Sequence, residues 1–176
     1  MSTHHMVVIL PPDNVAGDIA KLQMELFRTA HLVSSQALPP VMPLIWVKPD
    51  TPETVARPGV IRALPPVGVS PPVCRDTAVV APASLPGGWD AWVESLDSWR
   101  SLPLEVAPGL LSSCGDGFFV CECEAGPVRL PSAEWSSRTL TSISVARISV
   151  TFGDEDHPWE HVDWQIGWKV YAKLRG

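Results

Sequence analysis

His157-Pro-Trp-Glu-His161 fits H-x-x-E-H, the spacing in which histidines one helical turn apart hold zinc while the glutamate activates water. Its surroundings point elsewhere. Pro158, the Asp154-Glu-Asp156 run before it and the strand-like segment after it make a loop, and only fifteen residues remain to supply a further ligand. Asp154, Asp156, His157 and His161 can be read as a weak divalent-ion site, but such acidic loops are more often simply hydrated, so no metal is expected. Cys121 and Cys123 are two apart and share a strand face, with Cys114 seven residues earlier, a spacing that suits small core residues better than a zinc pair. Trp159, Trp164 and Trp168 can stack bases or sugars or pack a core, and Trp164 and Trp168, four apart, are expected on one strand face. Arg147 and Ser149, two apart in an alternating stretch, point to the same side. A guanidinium beside a hydroxyl suits an anion; the plainer reading is a strand arginine paired with an acidic neighbour. No Gly-rich phosphate loop, G-x-S-x-G elbow or dinucleotide fingerprint occurs, so no cofactor is expected.

These residues need elements to position them. Met6-Val-Val-Ile-Leu10 is a short β-branched run that ends at Pro11-Pro12, hence a strand. Val15, Ile19, Leu22, Leu26 and Ala30 then recur at helical spacing, capped by Asp13 or Asn14, with Phe27 widening the stripe and His31 in the last turn, where a positive imidazole suits the helix dipole. Leu38–Val47 is apolar, but Pro43 marks an edge, a bulge or a late strand start. Gly59–Leu64 and Thr77–Ala81 read as strands within the proline-dense stretch 48–86, and Trp89, Trp92, Val93, Leu96 and Trp99 keep one helical face. Gly117–Cys123, Thr139–Phe152 and Val162–Tyr171 read as strands.

At 176 residues the chain is one domain's worth of sequence, with 45% apolar and 18% charged residues, which argues against disorder. The charge of −6 removes any general attraction to nucleic acid or anionic membrane. No apolar run is long enough to span a bilayer and no signal core follows Met1, so the expected location is cytoplasmic, with Cys74, Cys114, Cys121 and Cys123 as reduced thiols.

The order strand, Pro-Pro, amphipathic helix, Leu-Pro-Pro-Val-Met-Pro-Leu-Ile resembles the two-histidine (2H) phosphoesterase superfamily, which includes the LigT-like cyclic phosphodiesterases, over 6–47 and 140–174. The resemblance implies two pseudo-symmetric α+β lobes flanking a cleft, each offering a His-x-Thr/Ser strand. Val41 stands at the first histidine and Pro43 at its hydroxyl partner, which removes proton transfer and phosphate hydrogen bonding there. Aligned with the second motif, Arg147 stands at histidine and Ser149 at the hydroxyl; Ala107-Pro-Gly-Leu-Leu111 is a poorer competing alignment. The expectation is a single α+β domain, residues 1–176, with largely antiparallel sheets and outer helices in two packed lobes near 6–80 and 85–176. It is expected to bind a small phosphate-containing or other anionic, nucleotide-like ligand without catalysis, through Arg147 and Ser149. One alternative is a divergent cyclic phosphodiesterase that recruits His31, His157 or His161; another is a structural or protein-interaction domain using exposed tryptophan and the 48–86 surface.

Overall fold

The computed structural model describes residues 2–53, 64–75, 77–85, 87–95, 100–101, 117–123, 126–131, 135–153, 157 and 159–175. Strand β1 (Ser2–Leu10) stops where Pro11 and Pro12 remove two donors. Helix α1 (Asp13–Ala30) follows, with Val15, Ile19, Leu22, Gln23 and Leu26 buried. The expected side-chain cap is absent. Pro12 takes the N-cap place, with φ −65° and ψ 158°, and Asp13 is already helical. A proline needs no partner for the N–H it lacks, and its fixed φ presets the entry. His31 ends the helix in the left-handed region at φ 55°, its backbone N–H bonding to the Phe27 carbonyl.

After the short α2 (Ser34–Ala37) comes β2 (Met42–Val47). Pro43 opposes Val8 at a register shift, so the bulge absorbs the missing donor within a strand bonded on both edges. The chain continues through β3 (Val67–Val69), β4 (Val73–Arg75), β5 (Ala78–Ser84), α3 (Trp89–Glu94), β6 (Arg100–Ser101), β7 (Gly117–Glu122), β8 (Arg138–Leu140), β9 (Ser142–Phe152) and β10 (Val162–Lys173). The expected strand at 59–64 lies, except for Leu64, outside the described residues, as do Leu96, Trp99, the 107–111 segment and Cys114.

One antiparallel sheet runs β10-β9-β1-β2-β6; the other runs β4-β5-β3-β8, with β7 also on β5. The fold class is α+β, as the sequence predicts. The sheets do not divide the chain into consecutive halves, because β9 and β10 return to the sheet of β1.

Both faces of β1 are buried, which is why it reads as an unbroken apolar run rather than an alternating one. Val7 and Ile9 join Ile143, Val145, the α1 stripe, Phe118, Val120 and Trp89 in one core. Met6 and Val8 join Ala146, Ile148, Val150, Phe119 and Trp159 in the other.

The sheets are tied together where the Phe119 N–H bonds to the Val41 carbonyl at 2.8 Å. Gln23, 4% exposed on α1, completes the tie: its side-chain amide donates to the Leu38 carbonyl at 3.2 Å and to the Val120 carbonyl at 3.0 Å. Gln23→Leu keeps the volume but strands two buried acceptors, so we expect it to lower unfolding free energy by about 2–4 kcal/mol, measured by urea denaturation.

Candidate functional site

The sequence candidates Arg147 and Ser149 lie on the β9 face that carries Ile143 and Val145, beyond the part that α1 covers. Ser149 sits between His5 of β1 and Gln165 of β10, and Arg147 between Val7 and Trp168. Arg147 is only 4% exposed. Its partners are backbone, not an acidic side chain: Nη1 donates to the Pro52 carbonyl at 2.7 Å and Nη2 to the Thr51 carbonyl at 2.9 Å. Burial pushes the guanidinium's pKa down while the Glu53 charge pulls it back up, and an arginine so perturbed still carries its charge at neutral pH.

Sequence reasoning misses the two groups that complete this cluster. Burial, and then the Arg147 charge, hold the His5 imidazole below its ordinary pKa, with Glu53 opposing. Glu53 itself lies against the backbone of Gly167, where an added Cβ would run into its carboxylate. Alternation in β1 puts His5 on the face of Val7, but nothing in the sequence says that β1 lies beside β9.

On the opposite face, the positions the resemblance assigns to the first half-site are apolar and enclosed. Val41 is 1% exposed and Pro43 is buried. Across the junction Phe119 stacks on Trp159 at 5.6 Å and 16°, and Phe152 meets the same indole edge-on at 5.6 Å. Trp159 Nε1 donates to the Glu122 carboxylate. The indole thus fills the junction between the sheets and anchors the loop that bears the H-x-x-E-H residues.

That loop is a turn, not a zinc helix: the Glu160 N–H bonds to the His157 carbonyl, and Gly153 to the His161 carbonyl. Among the described residues no three His, Cys, Asp or Glu side chains converge as a metal site; Asp154 and Asp156 lie outside them. His31 and His157 do come together on a cavity of about 260 Å³, with Ser34, Glu122 and Glu160; His161 is not on its lining.

Cys74, Cys121 and Cys123 are free thiols. Burial drives Cys121 strongly upward and Cys123 up to about 11, which keeps both protonated and unreactive near neutral pH. The expectation that Trp164 and Trp168 share a face is overturned. A bulge between Ile166 and Trp168 puts an extra residue between them, so Trp168 turns into the core at 7% exposure while Trp164 is 37% exposed.

No family model matches the chain, and no curated protein matches it. Among solved structures it is similar to TT0787 of Thermus thermophilus, with a TM-score of 0.57 and 11% identity over 98% of this chain and 100% of that one. The two share a fold over nearly their whole lengths. E. coli LigT complexed with 3′-AMP aligns at a TM-score of 0.48 and 12% identity, over 98% of this chain and 99% of that one. At such identity the likeness concerns the fold, and the chemistry has to come from the residues in place.

Two outcomes follow for this region. Trp159→Ala empties the stack on Phe119 and should lower unfolding free energy by about 3–5 kcal/mol in chemical denaturation. Because His5 has a depressed folded pKa, its contribution is complete above the unfolded value of 6.5 and is lost as pH falls through the folded pKa. The denaturation midpoint should therefore drop as the pH falls below 6.5, and His5→Gln should flatten that part of the profile.

Proposed function

We propose that this protein is a noncatalytic member of the phosphoesterase-like fold that holds a small anionic or nucleotide-like ligand without hydrolysing it. The observation that carries the reading is the enclosed, apolar character of Val41 and Pro43, which offer neither a proton nor a phosphate contact where the fold's first half-site stands. We place the anion at Arg147 and Ser149. Two of the five guanidinium N–H groups are engaged by Thr51 and Pro52, which leaves three for another acceptor, and the Ser149 hydroxyl is on the same face. The neutral imidazole of His5 adds a donor without adding charge.

A second reading has an observation of its own. His31 and His157 share a cavity with Glu122 and Glu160, and paired imidazoles are what a divergent cyclic phosphodiesterase requires. Phosphorus NMR of a 2′,3′-cyclic nucleotide with the full chain separates the two. Our reading expects broadening without a monoester resonance, and a loss of affinity of ~5-fold or more in Ser149→Ala. A monoester peak that vanishes in His31→Ala or His157→Ala would replace it with the second reading. An unbroadened, unchanged spectrum would remove the cyclic nucleotide as ligand.

A further inference from the structure

Strand β10 closes one edge of its sheet: β9 bonds it on one side, and among the described residues no strand bonds it on the other. It is the longest strand described, at 12 residues, and Asp163, Trp164, Gln165, Ile166 and Gly167 are exposed in succession, so neither sheet face is covered there. An open edge of that length presents a row of unpaired N–H and C=O groups to any strand that comes alongside.

Exposed apolar side chains flank that row. Trp164, Ile166 and Tyr171 lie opposite Val150, Ile148 and Ser144 of β9, which puts all three on one face of the sheet. Charge is divided along the same strand. Glu160 and Asp163 stand at its start and Lys169, Lys173 and Arg175 at its end, all exposed, and none is in an ion pair among the described residues. Lysines on an edge ordinarily repel a second strand, so a strand that pairs here has to answer them with acidic groups.

We propose that the β10 edge pairs antiparallel with the same edge of a second copy of this chain, joining two 5-stranded sheets into one. A two-fold axis between Gly167 and Trp168 keeps each sheet face continuous and sets Trp164 opposite Tyr171 of the second copy, Asp163 opposite Ala172, and Ile166 opposite Lys169. Every such pair occurs twice. The acidic start of each strand runs beside the basic end of the other, Glu160 is level with Arg175, and no lysine faces a lysine. Ile166 packs on the methylene stem of Lys169, and Gly167 falls opposite Trp168, so each bulge meets its partner strand where one side chain is absent. Both halves of the match, acid with base and Trp with Tyr, are present on this one strand, as a two-fold contact requires. The contact does not use Arg147 or Ser149 and is independent of the anion proposed there.

The test is sedimentation of the full chain over a range of concentrations, with amide hydrogen exchange followed in β10. A monomer–dimer equilibrium is expected, with exchange in Val162–Lys173 slowing as concentration rises. Ile166→Lys sets like charges directly opposite each other at both copies and should weaken the dimer ~10-fold or more, whereas Ile166→Glu sets opposite charges there and should keep it within ~3-fold of the unsubstituted chain. Ile166 is exposed, so neither variant disturbs the core. A monomer at every concentration overturns the proposal and leaves the edge to a different protein. Equal weakening by both substitutions would refute the two-fold register, and a dimer indifferent to both would place the contact away from β10.

Discussion

A buried primary amide has to find acceptors, and Gln23 finds one on each side of the junction between the two sheets. The Leu38 carbonyl belongs to the segment leading into β2, and the Val120 carbonyl belongs to β7. With the Phe119 bond to Val41, this fixes the position of β7 against β2 and sets the depth at which α1 lies across both. Apolar burial of Val15, Ile19, Leu22 and Leu26 drives the helix onto the sheets but is not directional. The two amide bonds supply the direction.

Once the sheets are joined in that register, the space between them must be filled. Here it is filled by Phe119, Phe152 and Trp159, with Val41 enclosed beside them. Close packing of this kind is incompatible with a solvated pair of histidines at the same place, because each imidazole would need a partner or water inside an apolar cluster. The space around Val41 and Pro43 is therefore held by apolar packing. Polar side chains gather elsewhere, around Arg147 at the middle of β9 and on the cavity shared by His31 and His157.

Strand β9 shows how one element can serve both packing and a polar cluster. Its apolar residues alternate between two different cores, and Arg147 lies buried among them at the centre of the strand. At its midpoint Arg147 is stabilised by two backbone carbonyls and a nearby Glu53 charge. Near its start Ser144 lines a cavity with Pro11, Pro12 and Asp13.

The period of apolar residues alone determined the α1 helix, the strandedness of β1, β9 and β10, and the α+β class, because burial of one or two faces imposes those periods whatever the neighbours are. The double proline fixed where β1 ends, and Pro43 announced an irregularity that the pairing with Val8 resolves as a bulge. What lies beside what was decided only in three dimensions. Sequence alternation assigned Trp164 and Trp168 to one face, and a single extra residue at the bulge reversed that. It put Arg147 and Ser149 together correctly, yet gave no sign of His5, Glu53 or the Thr51 and Pro52 carbonyls, which are about a hundred or more residues away in the chain. Periodicity records how each segment meets its own surroundings, whereas the partners across a sheet depend on which strands pair, and that choice belongs to the whole chain.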